Sequence, residues 1–474
     1  MYVRLWITRI LVVAAFTALP VSLARSQSVI SKTDTVVVTL ESAILRALEI
    51  SPEVGAVSAS RNHAAARWRF AKSHRFLTEF EAKSAHSFSP GLKGINGVPT
   101  GELYLEPSVR NDWDNLSPFT FVEIEAVQPI YTWGELSGNI KAAKYGVVVE
   151  QGSVDLAILK VAARTAEIYY GLLLTDALIR VTEDANDLVS QAIDEIEHQM
   201  DEGDPDVDEA DLFQVQIAEQ EVARRVVEVS QKLRTMQSAL ARQMFLPEGT
   251  VPDLGTRRLE VVPFELEALS IYESIALGHR PELDQADAGL AARNALVGVA
   301  KSEYYPKLFL AASSKYSFAI DRHRQRNPYV SDPFLSRGFR AGLGFSQKLN
   351  FGQTKAKVEQ AKYNVEEVRF QKQAARQLVL FEVEEAYRNV LIARSAVETQ
   401  GEAFRISKEW LRSEEINFDL DLGDTENLVR AVQTKLELQA ANHEAVYDYN
   451  VSVIRLLKAT GALTQIIQSG TFVE

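Results

Sequence analysis

The chain has 474 residues, 46% of them hydrophobic and 24% charged, with 51 Lys plus Arg against 64 Asp plus Glu for a formal net charge of −13. That is the composition of an ordered protein rather than a disordered one, and an acid excess without a basic patch argues against nucleic acid as a partner. Cysteine is absent, which removes disulfides, thiolate chemistry, cysteine metal sites and an acylated N-terminal Cys together.

Arg4 and Arg9 come first, followed by an apolar stretch from Ile10 to Leu19 and small residues ending Ser22-Leu23-Ala24-Arg25-Ser26-Gln27. This pattern predicts a secretory signal peptide over residues 1–26. Beyond it no apolar run approaches the ~20 residues that a spanning helix needs. If the chain enters a membrane, a β-barrel is the remaining integral solution.

The rest of the sequence repeats itself. A shift of 229 positions carries Ala47-Leu48 onto Ala276-Leu277, Ser51-Pro52-Glu53-Val54 onto Arg280-Pro281-Glu282-Leu283, and Ala71-Lys72-Ser73 onto Ala300-Lys301-Ser302. Further on, a shift of 218 carries Ala143-Lys144-Tyr145 onto Ala361-Lys362-Tyr363, and Glu167 and Tyr169 onto Glu385 and Tyr387. The first repeat is expected over 27–265, with a helix, strands at about 76–88 and 119–131, a long helix at about 138–200 and a helix at about 206–246. The second is expected over 266–462, with a helix, strands at about 306–320 and 338–351, a long helix at about 355–420 and a helix at about 424–460. A tail at 463–474 follows.

All four strand segments alternate apolar and polar residues, as strands with one greasy and one wet face do. Phe76, Phe80 and Ala82 interleave with Glu79, Glu81 and Lys83; Val122, Ile124 and Ala126 interleave with Glu123 and Glu125. In the second repeat Leu308, Leu310, Ala312, Tyr316 and Phe318 oppose Lys307, Ser313, Lys315 and Ser317, and Phe339, Ala341, Leu343, Phe345, Leu349 and Phe351 oppose Arg340, Ser346, Lys348 and Asn350. Spans of this length cross the ~25 Å apolar band of an outer-membrane barrel. Aromatics fall at both ends, Tyr131, Trp133, Tyr304, Tyr305 and Phe351 on the helical side and Phe88, Phe119, Tyr316, Phe318 and Phe339 toward the loops, as interfacial girdles do. Gly342 and Gly344 relieve crowding inside the barrel. The loops Ser89 to Pro118 and Asp321 to Arg337 carry no chemical motif.

The long helices contain no proline and at 1.5 Å per residue reach ~95–100 Å. Val154, Ile158, Val161, Thr165, Ile168, Leu172, Thr175 and Ile179 step by fours and threes, the spacing of a coiled-coil seam. Val379, Val383, Ala386, Val390, Ala393 and Val397 continue that phase in the second repeat. Four strands cannot enclose a lumen, since small closed barrels need about eight. The expected assembly is therefore a homotrimer: a twelve-stranded membrane β-barrel continued by a long α-helical coiled-coil barrel.

At the far ends of the long helices lie Gly203-Asp204 and Gly423-Asp424. Ten of the residues from Asp194 to Asp211 are carboxylates, and seven acids from Glu409 to Glu426 are opposed by Arg412 alone. Gly203, Asp204, Asp206, Arg412, Asp419, Asp421, Gly423 and Asp424 are the candidate tip and gate residues, the acids forming a cation-attracting entrance once repeated around a threefold axis. Solvated helix ends would carry the same charge. Calcium binding at Asp204-x-Asp206-x-Asp208 is rejected, because Glu209 stands where that loop needs glycine and Val215 where it needs its last ligand. The seven histidines lack ligand spacing, and no phosphate loop, dinucleotide fingerprint or G-x-S-x-G occurs. No catalytic residue, cofactor or metal site is expected.

The chain resembles the TolC family of outer-membrane efflux proteins over its mature length. The resemblance is carried by Leu40-Glu41-Ser42-Ala43 to Ser51-Pro52-Glu53, Arg280-Pro281-Glu282-Leu283, Tyr305-Pro306 before the third strand, and Leu349-Asn350-Phe351-Gly352 before a long helix. It implies a passive export duct: a homotrimer with its barrel in outer-membrane lipid and a helical tunnel in the periplasm of a Gram-negative type envelope. It further implies docking to a periplasmic adaptor (membrane fusion) protein and an inner-membrane pump or secretion ATPase, in a tripartite efflux or type I secretion system. Some relatives carry a lipidated Cys that this chain lacks. The rival expectation is a periplasmic coiled-coil scaffold or adhesin without a pore.

Overall fold

A computed structural model describes residues 35–93, 110–202, 209–320, 322, 331–420, 425–463 and 466. The expected signal peptide lies outside them. In chain order the elements are β1 (Thr35–Val38), α1 (Leu40–Ile50), α2 (Pro52–Ser73), β2 (Glu79–Lys93), β3 (Arg110–Tyr131), α3 (Glu135–Glu202), α4 (Glu209–Gln243), β4 (Val251–Leu254), α5 (Leu269–His279), α6 (Pro281–Ser302), β5 (Lys307–Ala319), β6 (Arg337–Ser346), α7 (Phe351–Asp419) and α8 (Thr425–Thr460).

Each repeat opens with a short and a medium helix separated at a proline. Thr39 and Ser42 cap α1 reciprocally, and Ser51 Oγ accepts from the Val54 N–H while Pro52 takes the first position of α2, where no N–H is needed. A β-hairpin follows, then a helix of 68 residues in the first repeat and 69 in the second, each ~100 Å long. The long helices start at Glu135 and Phe351, a turn earlier than the sequence indicates, directly after the strands. Trp133 and Gly134, both at positive φ, make the first of these turns.

Most of the expected seam is buried, with Ile158, Ile168, Ile179 and Val397 half-buried, and on α3 burial extends past it to Leu159, Ala162, Ala166 and Leu173. Val154, Val161, Thr165, Leu172 and Thr175 on α3 and Val379, Val383, Ala386, Val390 and Ala393 on α7 are all buried. Two close approaches of α6 to α3 fall at glycines: a Cβ on Gly138 would sit 2.6 Å from Val299 Cγ2 and one on Gly152 2.4 Å from Gln285 Cγ. Thr165 and Thr175 satisfy their buried hydroxyls on the Val161 and Gly171 carbonyls. The main core gathers at mid-height, where α1, α5, the ends of α4 and α8, and β1 and β4 close around the middle of α3 and α7. β1 and β4 form a parallel pair that the sequence did not reveal. Asn450, fully buried, straps the linker between repeats by donating to the Glu260 carbonyl and accepting from the Val262 N–H.

The two repeats hold their medium helix against their long helix by the same contact with the charges exchanged. In the first, Glu53 on α2 meets Lys160 at 2.8 Å and Arg164 at 3.1 Å on α3, and the hydrogen bond from Lys160 holds its carboxyl below the usual range. In the second, the position equivalent to Arg164 is Glu382, and the cation is Arg280, standing where the first repeat has Ser51. Arg280 reaches Glu382 at 2.7 Å, Glu282 on its own helix, and the Ala459 carbonyl of α8 at 2.9 Å.

Several strand limits differ from expectation. The first loop is shorter than Ser89 to Pro118, because β2 runs on to Lys93 and β3 begins at Arg110 past an irregularity at Pro90/Gly91. Lys93 stabilises that extension by pairing with Asp112 at 2.9 Å and Asp114 at 3.0 Å. Phe76 precedes β2: the chain turns at Leu77, φ 45, whose N–H is capped by Gln128 Oε1 at 2.7 Å. Leu349 lies beyond β6, which stops at Ser346, and Phe351 begins α7.

Arg280 is buried and its carboxylate partners retain some solvent, so Arg280→Met is expected to cost on the order of 3 kcal/mol, the low end for breaking a buried ion pair. Arg388→Met, which removes an exposed pairing with Glu384, is expected to cost under ~0.5 kcal/mol. Denaturant midpoints followed by far-ultraviolet circular dichroism check the difference.

Candidate functional site

The functional surface begins with the four-stranded antiparallel sheet, ordered β2-β3-β5-β6. Its register aligns one set of alternate residues from every strand: Ala82, Ile124, Ser314 and Phe339 stand side by side, as do Phe80, Ala126, Ala312 and Ala341. On this face Phe80, Phe88, Ile124, Leu308, Leu310, Phe339, Leu343 and Phe345 are all exposed, Leu343 to 79%. A soluble sheet buries its apolar face on a core. Here the apolar face is uncovered and the charged residues occupy the other: Glu81, Lys83, Glu123, Glu125, Lys315 and Arg340. β2 and β6 are both edges, each with one row of backbone donors and acceptors unpaired within the chain.

Aromatic rings collect where the sheet meets the helices. Trp133 stacks on Tyr305 at 4.7 Å and meets Tyr131 edge-on at 4.9 Å, and its indole N–H donates to the Pro306 carbonyl at 2.8 Å. Tyr304 and Phe351 stack at 6.5 Å. At the opposite end Phe88, Tyr316, Phe318 and Phe339 stay on the apolar face. Phe119 does not: the register puts it beside Ser87 and Ala319 on the charged side, packed edge-on against Phe334 at 5.4 Å. Alternation read from Val122 in single steps would have found this, since 119 and 122 differ by an odd number. Gly344 makes room for the Phe309 ring, 2.7 Å from where a Cβ would stand, whereas a Cβ on Gly342 would meet nothing within 4 Å.

The hairpin ends of the two repeats are fastened together by Arg322. Its guanidinium pairs with Asp332 at 2.7 Å, donates to the Pro90 and Gly91 carbonyls and to Asn111, and lies 4.7 Å from the Phe334 ring. Both charged groups are almost fully buried. Sequence reading missed this, because nothing local marks Arg322 as paired.

The ends of the long helices flank the candidate tip residues in the chain. α3 and α7 both leave the sheet side and end ~100 Å away, where α4 and α8 turn back and pack along them. Gly203, Asp204, Asp206, Asp421, Gly423 and Asp424 lie outside the described residues, as does the side chain of Asp419, which ends α7. Arg412 is exposed two turns before that end and, among the described residues, forms no ion pair. Asp194, Glu195, Glu197, Asp201, Glu202 and Glu209 are exposed around the same end. Among the described residues no group of carboxylates or histidines is arranged to hold a metal ion, and no helix is long and apolar enough to cross a membrane.

A second surface was also missed. α3 is enclosed by α1, α2, α4, α6 and α8, whereas, among the described residues, α7 packs mainly on α5, α6 and α8. Along the free side of α7, Tyr363, Phe370, Phe381 and Ile392 are exposed. Their spacings of seven and eleven keep them within about 20° of one line along the helix.

Comparison with known proteins gives this arrangement a context. Residues 273–462 match the family model described as outer membrane efflux protein, a span that lies within the second repeat. CusC, whose structures concern folding and transmembrane channel formation, superposes with a TM-score of 0.71 at 16% identity over 89% of this chain and 92% of its own. The Campylobacter jejuni CmeC outer membrane channel gives 0.67 at 18% identity over 92% and 90%. The Vibrio cholerae outer membrane protein VceC gives 0.68 at 16% identity over 89% and 96%. At such identities the likeness establishes the fold. No curated protein matches the sequence.

The uncovered apolar face predicts a depth- and face-dependent response to charge. Ile124→Arg on that face is expected to cost about 2–4 kcal/mol in lipid, and Ser313→Arg on the opposite face close to nothing. Refolding each variant into lipid vesicles, with the folded fraction read by tryptophan fluorescence and protease protection, checks the difference.

Proposed function

We propose that the chain, whose second repeat matches the outer membrane efflux protein model, is a passive outer-membrane duct, the exit component of a tripartite efflux or type I secretion system. The observation that carries this reading is the four-stranded sheet with an exposed apolar face and two unpaired edges. In hydrocarbon every backbone group must be satisfied, so an open sheet has to close. Three copies joined β6 to β2 make twelve strands with no edge, lipid on the apolar face and water on the charged one. The same threefold axis turns the free side of α7 toward a neighbouring copy and closes the long helices into a periplasmic tunnel. A coiled-coil scaffold without a pore leaves the apolar face unexplained.

In this reading the duct performs no chemistry. Solutes reach it from a periplasmic adaptor and an inner-membrane pump or secretion ATPase, which supply energy and choose the cargo. The tips are the gate: Gly203 and Gly423 let the chain turn, Asp204, Asp206, Asp419, Asp421 and Asp424 ring the entrance and attract cations, and Arg412 is the nearby counter-charge. Support comes from the carboxylate excess at these ends and from the confinement that threefold symmetry imposes.

Single-channel recording in planar bilayers tests the proposal. The protein is expected to conduct with cation preference, and neutralising the five acids to Asn is expected to lower that preference at least twofold. A protein that extracts without detergent and passes no current contradicts the duct; a conducting variant with unaltered preference contradicts the role of the tip acids.

A further inference from the structure

The charged face of the sheet is ordered by height. Nearest the helices this face carries Lys307, whose ammonium is paired with Glu135 of α3, and then Phe309 opposite Gly344; the next row sets Glu79 beside Val127, Ala311 and Gly342 and contributes one acid. The next row pairs Glu81 and Glu125 with Arg340, leaving one net negative charge; the row beyond it pairs Glu123 with Lys83 and Lys315, leaving one net positive charge. Successive rows are two residues apart along a strand, ~6–7 Å.

The two lysines of the basic row are compensated differently. Lys83 reaches down to Glu81 at 2.9 Å and toward Glu125 at 3.7 Å, with all three side chains about half exposed. Lys315 lies over the Phe121 ring at 4.9 Å and, among the described residues, forms no ion pair. Its ammonium is therefore directed along the sheet away from the acids, toward the hairpin end, since Phe121 is one row farther out.

Given the trimeric duct proposed above, each row becomes a ring on the lumen wall. We infer that the barrel carries a fixed axial field, acidic on the periplasmic side and basic toward the cell exterior, and that Lys83 and Lys315 set the ion preference of the outer half of the duct. Twelve strands tilted by ~40° give a wall radius of ~11 Å, and inward side chains of ~5 Å leave every point of the lumen within one Debye length at 0.1 M salt, ~10 Å. The rings therefore act across the whole passage at low salt and fade at 1 M, where that length is ~3 Å. An asymmetric charge profile also makes the conductance differ with the sign of the voltage.

The test uses the full-length protein in planar bilayers under a potassium chloride gradient. K83Q/K315Q is expected to raise the potassium-to-chloride permeability ratio about twofold and to change the rectification. E81Q/E125Q is expected to move the ratio the other way, and both effects vanish at 1 M salt. K83R/K315R, which keeps the charge, is expected to behave as the unaltered protein, and the mass of each variant in detergent confirms that it assembles. Conducting glutamine variants with the original ratio and rectification at 0.1 M would overturn the inference. Unaltered protein that opens no channel would overturn the duct and this inference with it.

Discussion

A β-sheet edge has nowhere to go in hydrocarbon, and in the proposed duct the rest of this protein is arranged around that constraint. The sheet is too narrow to close on itself, yet its register gathers the apolar side chains of four strands onto one continuous uncovered face. In the proposed trimer, pairing of β6 with β2 of another copy would satisfy both the edge and the face at once. The loop-side clamp at Arg322 and the aromatic cluster around Trp133 hold the two hairpins of one chain as a rigid panel, so that the remaining freedom lies at the seam between copies.

Duplication supplies both hairpins and both long helices, and the differences between the repeats give the panel its direction. The exchange of Glu53 with Arg164 for Arg280 with Glu382 keeps the same helix-to-helix contact at the same height while inverting its polarity. Arg280 also ties in the end of α8, while in the first repeat Arg46 of α1 does the same for the end of α4 through the Met244 carbonyl. α3 is the enclosed helix of the wall and α7 the open one; a structure in which both repeats were enclosed equally would have no face left for a neighbour.

Much of this was legible in the sequence because periodicity is local. The alternation at Phe80 to Lys83 and at Leu308 to Lys315, and the heptad phase shared by Val161 and Val379, are properties of consecutive residues, and the offset of 218 makes each repeat a check on the other. What failed to appear depends on partners distant in the chain. β1 and β4 are four residues each and pair across more than 200 positions. The Arg322 clamp joins residues from both hairpins; the place of Phe119, by contrast, was legible in the odd step that separates it from Val122. The acidic tips were conspicuous as composition, but charge density alone does not say which acids face an axis.

The claim on which the account rests is that neighbouring copies pair β6 to β2, and the absence of native cysteine allows it to be read directly. A cysteine at Ala82 on β2 would be combined in turn with one at Ala341, Leu343 or Phe345 on β6, on the same face, and oxidised in native membranes. The account predicts that at least one combination yields a covalent ladder ending at three chains. Linkage confined within single chains, or none at any of the three positions, would contradict it.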